Sequence, residues 1–205
     1  MINEIKLAFS ENKMAIYVSI AVLFISLVLG YILEPYLFSY LNPVVEEFTR
    51  EVESGVLELT FTSIFSNNIR IVLMMFIYGI FFCFSLVILS FNGFFVGYYV
   101  ATTEDLLVTV LLIIPHGIFE FSSCILACAS GLVLFNFVYK FLKAIWAQES
   151  ESFKVILTNS FNESSAKLKQ AVILFIIASV LMAVAGVVEA YLTVPTADWI
   201  LSFIS

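Results

Sequence analysis

MAIYVSIAVLFISLVLGYIL, residues 14–33, runs for twenty residues without a charged side chain. A helix rises about 1.5 Å per residue, so about 20 apolar residues cover the roughly 30 Å hydrocarbon core of a bilayer. The stretch therefore reads as a membrane-crossing helix. The rest of the chain is of the same kind: 62% of residues are hydrophobic and only 12% are charged, with a mean hydropathy of +1.08. Ordinary globular chains carry about 25% charge. A chain of 205 residues has room for about four or five such spans in a single integral membrane domain, 1–205. The expected fold class is all-α, a polytopic transmembrane helical bundle.

The net charge of −7 excludes nucleic acid as a partner, because no basic patch exists to neutralise phosphates. Cys83, Cys124 and Cys128 all lie inside apolar runs with no CxxC spacing, so they outline no disulfide framework and say nothing about redox compartment. The first apolar run is long enough to stay as an anchor, and no small-residue cleavage site follows it.

Along the chain, the membrane segments read as 14–33, 71–91, 93–115, 117–139 and 171–190. The first stops at Glu34-Pro35. An acidic stretch follows in which Asn42-Pro43 has the form of an N-cap with proline at the first helical position. Val44, Val45, Phe48, Val52, Val56 and Leu59 recur there at spacings of three and four, predicting an outer amphipathic helix over 43–60. Residues 146–169 read as a second amphipathic helix, on the cytoplasmic side. Residues 93–115 form two short apolar pieces around Thr102-Thr103-Glu104-Asp105. Neither piece spans alone, so the segment is either a broken helix or a re-entrant hairpin.

Placing the N-terminus and 140–169 inside gathers seven of the nine cations, Lys6, Lys13, Lys140, Lys143, Lys154, Lys167 and Lys169, on the cytoplasmic face. That is the asymmetry cytoplasmic loops show. Parity then requires 93–115 to cross once, as a broken third helix among five crossings.

The densest polar group in an apolar setting is Pro115-His116-Gly117-x-x-Glu120. His116 and Glu120 are four apart and share a helix face. Ionisable groups inside membrane helices are costly and usually face a partner or a wet cavity. Glu189 falls at the same outer depth near the end of the last span. His116, Glu120 and Glu189 are thus the candidate site for a proton, a metal ion or a substrate group. The competing reading is structural: His116 caps a helix start and bonds Glu120. Zinc needs about three or four protein ligands, and HExxH and a Ser-His-Asp set are both absent. Cys124 and Cys128 continue the Glu120 face at i+4 steps, as a soft-metal ladder or as small residues for close packing. Glu104 and Asp105 are either an ion site at a helix break or a solvated turn.

Phe65-x-Asn67-Asn68, Gly79, Asn92-Gly93-x-x-x-Gly97, Pro115-His116-Gly117-x-x-Glu120, Gly131 and Glu189-x-x-x-Thr193-x-Pro195 follow one another in order. Over roughly residues 63–195 this resembles the stage II sporulation protein M (SpoIIM) family of integral membrane proteins. The resemblance implies His116 and Glu120 as signature positions, with Asn67, Asn68, Asn92, Gly93 and Glu189 in support. The family's namesake in endospore-forming bacteria is an engulfment protein that anchors cell-wall hydrolases in a membrane complex. The expectation is a non-enzymatic scaffold of the cytoplasmic membrane. Its partners would be the lipid bilayer and membrane proteins or a second copy. No cofactor is expected unless a metal ion sits at His116 and Glu120. The alternative is a transporter or lipid-handling protein that uses the broken helix and the His/Glu cluster.

Overall fold

The structure is a computed structural model and describes residues 2–54, 60–81, 84–147 and 152–203. It holds seven α-helices among these residues: α1 Ile2–Glu11, α2 Lys13–Glu53, α3 Phe61–Ile77, α4 Phe84–Thr102, α5 Leu106–Trp146, α6 Phe153–Tyr191 and α7 Thr193–Leu201. Five of them, α2 to α6, are long and apolar enough to cross a membrane.

Side-chain contacts give their directions. Leu23 and Ser26 of α2 meet Gly93 of α4, and Leu27 meets Gly97, so these two helices run parallel. Phe61 and Phe65 of α3 lie against Gly186, while Phe76 stacks on Phe175 with ring centres 4.4 Å apart, so α3 and α6 run antiparallel. Ser123 of α5 donates to the Ala178 carbonyl at 2.7 Å, and Phe137 meets Phe161 edge to face, so α5 and α6 are antiparallel too. The five apolar helices alternate in direction, as consecutive crossings must.

The helix boundaries differ from the sequence reading at four places, each for a local reason. First, α2 does not stop at Glu34-Pro35, nor does a new helix start at Asn42-Pro43. The helix runs through both prolines to Glu53. Each proline forfeits one backbone hydrogen bond and crowds the preceding turn, but Pro35 and Pro43 are exposed, where nothing else is disturbed. Asn42 is not a cap; it donates to Glu46 Oε1 at 2.6 Å one turn on. The expected helix over 43–60 is the distal part of α2, and residues 55–59 lie outside the described residues.

Second, the expected span 71–91 is two helices. The chain leaves α3 through a 3₁₀ turn at Tyr78–Ile80 and re-enters a helix at Phe84. Ser85 Oγ donates to the Met75 carbonyl at 2.6 Å, supplying a partner where the helix ladder is ending. Gly79 lies so close to Gly131 of α5 that a Cβ at either position would fall on backbone or on Ser85. Third, the expected broken helix 93–115 is the second half of α4 plus the first turns of α5. The break at Thr103-Glu104-Asp105 is a turn between complete helices. Asp105 caps α5 by accepting from the Val108 amide at 3.1 Å, and α5 continues through Pro115 to Trp146 rather than starting at Gly117. Glu104 and Asp105 are exposed, as in the solvated-turn reading. Fourth, the expected 146–169 helix starts only at Phe153, since Trp146 ends α5, and α6 carries it into the 171–190 span without interruption. Residues 148–151 lie outside the described residues.

Glycine sets the closest approach between helices. At Gly30 an added Cβ would strike the Phe94 carbonyl, and at Gly97 the Leu27 carbonyl. The Gly93-x-x-x-Gly97 stripe therefore packs α4 on α2 within the chain. Below it, Cys124, Ala127, Cys128 and Ala129 of α5 are fully buried.

At the far end from these glycines, α1 is tied to α6. Lys167 Nζ donates to Glu11 Oε2 at 3.0 Å, Asn12 Oδ1 at 3.1 Å and Gln170 Oε1 at 2.8 Å, which uses all three of its protons. Gln170 Nε2 donates to Glu11 Oε2 at 2.8 Å, and Lys169 pairs with Glu4. Hydrogen bonds from Gln170 and then Lys167 hold the Glu11 carboxyl below its ordinary value. The bond from Lys169 and its charge do the same for Glu4.

Two outcomes follow. Gly97→Ala drives a methyl onto the Leu27 carbonyl and should lower thermal stability in detergent by the roughly 1–3 kcal/mol typical of overpacking. Gly117→Ala, whose added methyl meets side chains and not backbone, Ile113 at 3.3 Å and Phe121 at 3.6 Å, should be tolerated far better. Because the Glu4 and Glu11 carboxyls are depressed in the folded state, their contribution is complete above the ordinary value of 4.5. It is lost as pH falls through the lower folded values. Hydrogen-exchange protection of α1, corrected for intrinsic rates, should thus hold at neutral pH and weaken as pH falls below 4.5, ahead of α5.

Candidate functional site

Antiparallel pairing of α5 and α6 brings together the three polar residues the sequence singled out. One ligand-capable atom each from His116, Glu120 and Glu189 lies within 4.8 Å of the others. His116 and Glu120 come from successive turns of α5, Glu189 from the last turn of α6. All three are half-buried. They form one side of a cavity of about 330 Å³ whose other walls are Val45 of α2, Phe95, Val96 and Tyr99 of α4, and Ile113 and Phe121 of α5.

His116 is not a helix cap. It sits ten residues inside α5, and no hydrogen bond joins it to Glu120 among the described residues. Its partner is Thr193, at the start of α7, 3.3 Å from Nδ1. Thr193 Oγ1 in turn donates to the Val188 carbonyl at 3.2 Å. With the hydroxyl proton directed to Val188, Thr193 accepts from Nδ1–H, and the Nε2 lone pair is left for whatever the cavity holds. Thr193 is thus the orienting partner of the histidine.

Neither Glu120 nor Glu189 receives a hydrogen bond among the described residues, and no Lys or Arg lines the cavity. Two carboxylates less than 5 Å apart repel by about 3 kcal/mol at an effective dielectric of about 20. A proton or a cation between them removes that cost. The arrangement is chemically a receiver of positive charge.

The other residues singled out in the sequence stand elsewhere. Asn67 is exposed and Asn68 half-buried on α3, outside the cavity wall. Asn92 lies on α4 with its Oδ1 buried and without a donor among the described residues. Gly93, Gly97 and Gly131 serve helix contact. Pro115 and Gly117 flank His116 within α5, and Pro195 is exposed in α7. Cys124 and Cys128 continue down α5 but are buried in packing rather than joined to the cluster. The sequence reading missed the apolar wall. Phe95 and Tyr99 stand four apart on α4, a spacing that places both on one face, but that face is assigned only once α4 is known to be a complete helix.

Comparison with known proteins places the chain in a family. Residues 18–194 match the Stage II sporulation protein M family, and the chain belongs to that family. It is a multi-pass membrane protein. Two uncharacterized proteins of the archaeon Methanocaldococcus jannaschii are similar to it. One is 31% identical over 89% of this chain and 82% of its own length, the other 28% identical over 71% and 78%. No solved structure shows significant similarity.

A purely structural His–Glu lock and a charge-receiving site differ in what Glu189→Gln does. Removing one of two facing carboxylates should raise the apparent Tm in chelator at mildly alkaline pH. A gain of about 1 kcal/mol corresponds to roughly 2–4 °C for a chain of this size. A fall in Tm would mean that the carboxylate holds the bundle together.

Proposed function

We propose that the chain is a non-enzymatic scaffold of the cytoplasmic membrane, with its N-terminus inside, that organises membrane-protein partners or a second copy of itself. The observation that carries this reading is the arm formed by α5 and α6. These helices have 41 and 39 residues, about 60 Å each, twice the hydrocarbon thickness. The polar part of α6, residues 153–170, extends about 27 Å beyond its apolar part. Near its tip, Trp146 is 88% exposed and Phe153 71%. Braced by α1, this is a rigid platform outside the apolar zone with aromatic side chains free to engage a partner.

The orientation rests on charge. Lys6 and Lys13, with Lys140, Lys143 and Lys154 on the arm, are all exposed at the α1 end, and cationic segments stay on the cytoplasmic side. The interior supports a scaffold rather than a conduit. From the cluster towards the α1 end, Ser123, Cys124, Ala127, Cys128 and Gly131 are buried in contact with neighbouring helices, so the cavity is blind in this conformation. A transport or lipid-handling role is the second reading, favoured by the opening of an apolar cavity onto three ionisable groups.

Flux and topology separate the readings. The scaffold reading expects the wild-type chain in proteoliposomes to pass ions and lipid no faster than protein-free vesicles. A flux that His116→Ala and Glu120→Ala both abolish without unfolding would replace it with transport. In a Cys83→Ser background, an impermeant maleimide applied to intact cells should label Glu104→Cys but not Glu163→Cys. The reverse pattern would invert the orientation.

A further inference from the structure

We propose that His116, Glu120 and Glu189 bind a divalent transition-metal cation of the zinc class, with one coordination position left open to the adjoining cavity. Three protein ligands plus an open position is the form of metal sites that take an exogenous ligand. Here α5 supplies two ligands one turn apart and α6 the third, all within 4.8 Å of one another. A metal with bonds of about 2.0–2.2 Å draws its ligands to about 3–3.5 Å from each other, a closure that small rotamer changes accomplish.

Charge favours a divalent ion. Two carboxylates and a neutral imidazole around a 2+ ion sum to zero, which an apolar cavity accepts, whereas two bare carboxylates are costly there. No cationic side chain lines the cavity to compensate them. The donor set selects within the divalent ions. Magnesium and calcium take oxygen ligands, while a well-oriented imidazole nitrogen favours zinc and its first-row neighbours.

The imidazole is oriented in the way metal ligands are. Its Nδ1 is held by Thr193 Oγ1, which is itself held by the Val188 carbonyl, so Nε2 is the free donor. An outer partner that fixes tautomer and ring plane recurs at metal-binding histidines. The open position faces Phe95, Tyr99 and Phe121, whose rings restrict an exogenous ligand to one with an apolar body. The site is independent of the scaffold reading, since a partner-binding scaffold and a lipid handler could each carry it.

The test uses the full chain in detergent, stripped with chelator and titrated with Co²⁺ as a coloured probe, then with Zn²⁺. The expected result is one cobalt per chain with the visible absorption of low-coordinate cobalt, displaced by zinc. His116→Ala and Glu189→Gln should each weaken binding by about 100-fold or more. Thr193→Val, which removes only the orienting partner, should weaken it by about 10- to 100-fold. Glu104→Gln, at the exposed turn, should leave it unchanged. Failure of the folded wild-type chain to take up a stoichiometric ion overturns the proposal. So does unaltered affinity in Glu189→Gln, a near-isosteric change that keeps the test valid if His116→Ala does not fold.

Discussion

Ser123 donates its hydroxyl to the Ala178 carbonyl at 2.7 Å, at a point of the bundle where the serine has no exposure. In a membrane interior such a bond is not traded for one to water, so it resists sliding of one helix along the other. It holds the register of α5 against α6. One turn above it on α5 stands Glu120, and another turn above that His116. With that register, the end of α6 delivers Glu189 to the same height, and the turn into α7 delivers Thr193 to the histidine ring. A slip of one helical turn, about 5.4 Å, would carry Glu189 away from His116 and Glu120 by more than the spacing that makes them a site.

The same packing explains why the cluster lies at one end only. Glycine at positions 30, 93 and 97 lets α2 and α4 approach until carbonyls touch the opposing helix, and Gly79 and Gly131 do so for α3 and α5. From the cluster towards the α1 end, Ser123, Cys124, Ala127, Cys128 and Ala129 of α5 are buried, so small side chains fill that part of the bundle. Near Tyr99 and Phe121 the interface carries aromatic rings instead, and the helices part to leave the cavity. Sealed packing below and an open pocket above follow from side-chain size at successive turns.

Hydropathy located apolar length well and helix ends poorly. Residues 71–91 read as one span because every residue through the turn at 78–81 is apolar or glycine. What ends the helix is a serine ten residues away satisfying a carbonyl, together with a glycine pressed on another glycine. Conversely, the polarity change near Gln170 marks where α6 enters the apolar zone and not where the helix begins. Nothing in Lys169-Gln170-Ala171 opposes helix, so it continues. Pro35 and Pro115 read as stops and Pro43 as a helix start, yet all three are interior residues in the structure, because in a long helix each costs one local bond while the flanking turns retain theirs.

From the sequence alone, the class of the protein was legible: a multi-pass helical membrane chain with five apolar elements. Composition and run length suffice for that, because the bilayer rewards apolar length whatever the packing. The pair His116 and Glu120 was legible too, since i and i+4 share a face in any helix. What only the tertiary structure decided was which groups from distant segments join them. That Glu189 and Thr193 complete the cluster, and that Phe95 and Tyr99 wall its cavity, depends on helix register and direction. Those are fixed by glycine contacts and single buried hydrogen bonds between residues tens of positions apart, which no local pattern encodes.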